Sequence, residues 1–101
     1  MKIPAIVNLS NVKKMARAEG YNPSNIMPPT QQGKKLSYLT PDGRRINFGN
    51  SQYESYDRHL DQDRRDNYLK RASNIKGDWK SDKYSPNNLA MHLLWSRKVK
   101  L

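Results

Sequence analysis

Lys35-Leu36-Ser37-Tyr38-Leu39-Thr40-Pro41-Asp42-Gly43-Arg44-Arg45-Ile46-Asn47-Phe48-Gly49 reads as two short strands around a turn. Leu36 and Tyr38 alternate with Ser37, and Ile46 and Phe48 alternate with Arg45 and Asn47, the period-two pattern of a half-buried strand. Thr40-Pro41-Asp42-Gly43 forms the turn: Pro presets one φ angle, and Asp-Gly supplies the positive φ that follows. The apolar face holds four residues at most, and a lone hairpin is marginal in water, so a helix must cover it. The chain is therefore expected to be α+β, a small β-hairpin packed against two helices.

Both helices are read C-terminal to the hairpin. Residues 52–75 form one long helix with a break near its start, carrying Tyr53, Tyr56 and Leu60 and then Leu69, Ala72 and Ile75 as an apolar stripe. Between the two apolar groups, Asp61 and Arg65 stand four apart in the favourable acid-first order. Gly77 fits a C-cap, and residues 76–84 form a polar connection. Ser85 and Pro86 are an N-cap and a first-turn proline for a last helix, whose Leu89, Met91, Leu93, Leu94 and Trp95 are apolar on more than one side and call for burial. Residues 35–96 make the folded domain. Residues 97–101 form a basic tail suited to the helix dipole.

Residues 1–34 read as an extended N-terminal arm. A short helix capped by Ser10 or Asn11 presents Val12, Met15 and Ala16 on one face and stops at Gly20. Beyond it, Pro23, Pro28 and Pro29 among small polar residues predict a strap with no ladder of its own. Ile3, Ile6, Val7, Leu9, Ile26 and Met27 are apolar anchors on this polar arm, and predict docking on its own domain or on a neighbour.

Composition narrows the classes of function. The chain has 101 residues, 35% of them hydrophobic, with a mean hydropathy of -1.06, so one domain with a small core is expected. Lys and Arg number 19 against 9 Asp and Glu, a net charge of +10 that attracts phosphate polymers, anionic membranes and acidic proteins without choosing among them. Cysteine is absent, which excludes disulfides and thiolate metal sites. No apolar run approaches the roughly 20 residues that span a bilayer. The apolar stretch at the start is too short for a signal peptide and is interrupted by Asn8, so a protein made in the cell interior is expected.

No enzymatic motif is present: there is no P-loop, no Gly-rich dinucleotide turn and no HExxH. His59 and His92 lie far apart, and Asp57, Asp61 and Asp63 are interleaved with arginines, which favours ion pairing over acid–base work. Neither an enzymatic activity nor a cofactor is expected. Basic and aromatic residues do interleave through the second half, and Arg64, Arg65, Lys70, Arg71, Lys76, Lys80 and Lys83 are the candidate contacts to nucleic acid or another partner. Any such contact would be with the phosphate backbone and blind to sequence. With one Phe in the chain, Tyr53, Tyr56, Tyr68, Trp79 and Trp95 are needed as core bulk and are expected to pack the hairpin against the helices.

The order Lys35-Leu36-Ser37-Tyr38, Gly43, Ile46-Asn47-Phe48-Gly49, Tyr53-Glu54-Ser55-Tyr56, His59, Asp61, Asp63, Arg64-Arg65, Tyr68, Arg71, Trp79 and Leu93-Leu94-Trp95 resembles a family of short uncharacterised proteins from large double-stranded DNA viruses and some phages. That family often carries a second His after the Tyr-and-Arg helix, where Ala72-Ser73 stands here. The resemblance implies a viral origin and a place in the virion. The resulting expectation is a minor capsid component that bridges other capsid proteins through its N-terminal arm. The alternative is a sequence-independent DNA-binding or genome-condensing protein.

Overall fold

The computed structural model describes residues 2–101. Seven regular elements follow in order: α1 (Leu9–Ala18), β1 (Ile26–Met27), β2 (Leu36–Leu39), β3 (Arg45–Phe48), α2 (Tyr56–His59), α3 (Gln62–Ser73) and α4 (Pro86–Leu93). Short 3₁₀ turns at Pro23–Asn25 and Trp79–Ser81 join them. The protein is α+β.

The hairpin forms where its alternation predicts. β2 and β3 pair antiparallel, with Leu36 opposite Phe48 and Tyr38 opposite Ile46. Gly43, at φ 88°, donates its N–H to Thr40 O at 3.0 Å and closes the turn. A third strand was not predicted. The strap over residues 21–33 does contribute to a ladder, because Ile26 and Met27 pair antiparallel with Tyr38 and Ser37. Its next residues then lie across the outer face of the sheet. Ser37 Oγ and Arg45 Nη2 both donate to Pro28 O, at 2.7 and 2.8 Å, and Thr30 N donates to Asn47 Oδ1 at 2.8 Å. That cover explains why the polar residue Ser37 is buried within a strand.

The core corrects the expected arm. Val12 and Ala16 of α1 join Tyr21, Ile26, Leu36, Tyr38, Phe48, Leu89, Ala90, Leu93 and Leu94 in one cluster, with Ile3, Val7 and Leu9 packed against it. α1 and α4 pack on each other, and α4 also packs on β3. The boundary expected at residue 34 therefore does not exist. The predicted hairpin face and last helix leave too small a core alone, and the apolar side of α1 completes it. Of the two hosts expected for the arm's anchors, the structure shows its own domain: Ile26 is buried, and Ile3, Ile6, Val7, Leu9 and Met27 are half-buried. The cap of α1 is Asn8, whose Oδ1 accepts from Asn11 N, in place of Ser10 or Asn11.

The helix predicted over 52–75 is broken where Leu60 takes φ 59° and Asp61 starts α3, accepting from Asp63 N and Arg64 N. Tyr53 precedes α2, so it and Leu60 leave the predicted stripe and are exposed. Asp61 is engaged as a cap and does not pair with Arg65. Arg65 instead turns inward over the Tyr56 ring, 4.9 Å from its centroid, and donates to Asp66 at 3.0 Å. α3 ends at Ser73 with Asn74 as C-cap, ahead of the predicted Gly77. Ser85 and Pro86 open α4 as predicted. The tail folds back, with Leu101 N donating to Tyr56 Oη at 3.0 Å. No helix among the described residues is long and apolar enough to cross a membrane.

Candidate anion-binding cleft

Lys35 stands just before β2 and would ordinarily be a solvated flank of the hairpin. Here Gly49 runs directly over it. At φ 81°, Gly49 comes so close that a Cβ would meet Leu94 Cδ1 at 2.9 Å and Lys35 Cβ at 3.1 Å, a position open only to glycine. The side chain of Lys35 is thereby drawn under residues 49–55, and the residue is 2% exposed. Its Nζ donates to Ser55 Oγ at 2.5 Å. Ser55 Oγ in turn donates to Asp57 Oδ1 at 2.7 Å, and Asp57 Oδ2 accepts from Asn8 N at 2.8 Å. Burial pushes the Lys35 ammonium below the usual lysine range, and Asp57 and Glu54 oppose the shift.

Lys35 lines a cleft of about 590 Å³. One wall is the segment from Gly49 to Ser55, with Tyr53 and Glu54 on it, and the other is the face of α3 carrying Arg64, Asn67, Tyr68 and Arg71. Ala90, Leu94 and Trp95, from α4 and the residues just after it, complete the lining. Tyr68 and Trp95 stack at 4.2 Å with their planes 9° apart, and burial raises the Tyr68 hydroxyl above its ordinary range. Behind Trp95, His59 accepts from Asp61 N at Nδ1 and lies 5.2 Å from the indole. The lining holds three cations and one carboxylate. Among the described residues, none of Lys35, Arg64 and Arg71 has a carboxylate within 4.0 Å.

A second hollow of about 660 Å³ contrasts with it, lined by Glu19, Asp66, Lys70, His92, Arg97 and Lys98 among others. There two of the three lysines and arginines are already paired, Arg97 with Asp66 and Lys98 with Glu19, each at 3.5 Å. An anion entering it would meet those carboxylates beside the cations. Nowhere among the described residues do three His, Asp or Glu side chains gather as a metal ion would need.

The seven predicted contact residues do not form one surface. Arg64 and Arg71 come together on α3 and face the cleft, whereas Lys70 lines the second hollow. Arg65 is 8% exposed and is withdrawn from any ligand. Lys83 is occupied, with Nζ donating to Gly20 O at 2.9 Å and standing 4.8 Å from the Tyr21 ring centroid. Lys80 lies over Trp79, and Lys76 is exposed on the connection between α3 and α4. Lys35 escaped prediction. Its one sequence signal is the partnership with Gly49, which becomes visible only once the strand pairing brings the two together.

The fold and cleft define a small basic α+β protein with a recess whose lining holds more cations than carboxylates. Residues 24–72, just under half of the chain, match the model of a family of unknown function (DUF5754). The match spans β1 to α3 and so includes Lys35, Gly49, Arg64 and Arg71. No curated protein and no solved structure matches the chain.

Proposed function

We propose that the protein is a binding protein for phosphate polymers, with no catalytic step, and that the cleft is where it grips them. The observation that carries this reading is Lys35. A buried ammonium is costly unless it is paired and hydrogen-bonded. Lys35 has one hydrogen-bond partner among the described residues, and its nearest compensating carboxylate, Asp57, stands behind the Ser55 hydroxyl. A phosphate oxygen in the cleft would accept from the same ammonium, and Arg64 and Arg71 on α3 would hold further phosphates of the same polymer. Arginine suits this role because its guanidinium offers planar, bidentate donors. The net charge of +10 would raise the encounter rate without choosing the site.

The bridging role expected for a capsid component loses its free arm, because Val12, Met15, Ala16, Tyr21 and Ile26 of that arm are buried in the core. The phosphate-binding reading draws on no such arm.

Fluorescence anisotropy of a labelled mixed-sequence nucleic acid, titrated across salt concentrations, tests the proposal. Three phosphate contacts predict that log K falls against log salt with a slope of about −2, from roughly −0.7 per contact on a single strand. Lys35→Met, Arg64→Ala and Arg71→Ala should each make the slope shallower by about 0.7. Arg64 and Arg71 are exposed, so those two variants keep the fold. Absence of salt-dependent binding at about 50 mM salt, where phosphate contacts are strong, refutes the reading.

A further inference from the structure

We infer that the polymer is a single-stranded nucleic acid, and that Tyr53 carries one of its bases. The inference rests on the phosphate-binding reading above and adds the form of the ligand.

Two features of the cleft, its volume and its recessed cation, exclude a stiff duplex from its interior. The recess of about 590 Å³ matches a site for one small ligand. Its key cation is recessed, since Lys35 is 2% exposed and is reached only past residues 49–55. A duplex is stiff over many base pairs, and it can lay phosphates on the rim but cannot turn one inward. A single strand can. Arg64 and Arg71 lie two turns apart on α3, about 10 Å along its axis, so they reach different phosphates of one strand.

The aromatic residues supply the second half of the argument. Tyr53 lines the same cleft, is 66% exposed and has no aromatic or cationic partner among the described residues. Its one direct tie is a backbone hydrogen bond from Tyr53 N to Asn50 O at 3.3 Å. The other cleft aromatics, Tyr68 and Trp95, are stacked on each other and form an apolar wall. An open ring beside recessed cations is the arrangement by which a base stacks while its phosphates are held. In a duplex the base faces are covered by their neighbours, and Tyr53 would have nothing to stack on.

The test compares labelled oligothymidylate with an abasic strand and with a duplex of the same length, at about 50 mM salt. The expected result is at least about tenfold tighter binding of oligothymidylate than of either competitor, within the range that stacking supplies. Tyr53→Ala should weaken oligothymidylate binding about 5- to 100-fold and leave the abasic strand unaffected, and Tyr53→Phe should restore the parent affinity. Tyr53 is exposed, so both variants fold. Equal binding of all three ligands, or an unaltered affinity in Tyr53→Ala, overturns the inference and leaves the phosphate-binding reading standing. Failure of all three to bind overturns both. A parallel titration of oligouridylate against oligodeoxyuridylate, which differ only in the 2′-hydroxyl, assigns the strand to RNA if the ribose strand binds more tightly and to DNA if it binds more weakly.

Discussion

Met15→Ala distinguishes an α1 built into the core from an α1 on a free arm. Met15 is 0% exposed, and its Sδ accepts the N–H of Ser96 at 3.3 Å, at the far end of the chain. Truncating a fully buried methionine costs about 2–5 kcal/mol through lost transfer energy and the cavity left behind. A cost of about 3 kcal/mol, within that range, converts at roughly 4–8 °C per kcal/mol for a domain of this size to a fall in Tm of about 12–24 °C. On a free arm the same substitution would stay within about 0.5 kcal/mol, a shift of under about 4 °C. Thermal unfolding followed by circular dichroism reads the difference. Lys14→Ala, on the exposed side of the same helix, is the control and should leave Tm within that smaller limit. A Met15→Ala variant that melts within about 4 °C of the parent would refute the packing described for α1.

Three further outcomes follow from the same geometry. Gly49→Ala places a Cβ in the left-handed region and against Leu94 and Lys35, and should cost about 2–4 kcal/mol in urea unfolding. Asp61→Ala removes the cap of α3 and should cost about 1 kcal/mol, whereas Asp61→Asn should retain most of it; a loss that vanished in high salt would instead point to ion pairing. The pH dependence comes from His92 and His59, both lowered by burial first and by nearby cations, with the surrounding carboxylates opposing. The unfolded imidazole titrates near about 6.5 and the folded ones lower, so between those values the unfolded chain holds more protons. Stability is therefore present above about pH 6.5 and falls on acidification toward about pH 5. Urea midpoints at the two pH values should show the fall, and His92→Gln should reduce it.

The hairpin was legible because its two signals are local: alternation at Leu36, Tyr38, Ile46 and Phe48, and the Pro41-Asp42-Gly43 turn. The Ser85-Pro86 start of α4 was legible for the same reason. The α1 stripe at Val12, Met15 and Ala16 was visible too, but spacing shows that a face is apolar and not what covers it. β1 was hidden because two residues flanked by Pro23 and Pro28 carry no readable period. In the cleft, Arg64 and Arg71 were legible by charge, as two of the seven basic candidates. Arg65 looked equivalent to Arg64, yet one helical position turns it onto Tyr56. Lys35 was the least legible, since its burial depends on the approach of Gly49, the residue after β3.

The most direct measurement is an amide chemical-shift map of the ¹⁵N-labelled protein titrated with a short oligothymidylate. The largest shifts should fall on Lys35, on residues 49–55, on Arg64 to Arg71 and on Trp95, and Lys35→Met should require a higher ligand concentration to produce them. Shifts centred on Lys76, Lys80 and Lys83, or on the hollow between Glu19 and Lys98, with the cleft unmoved, would contradict that prediction.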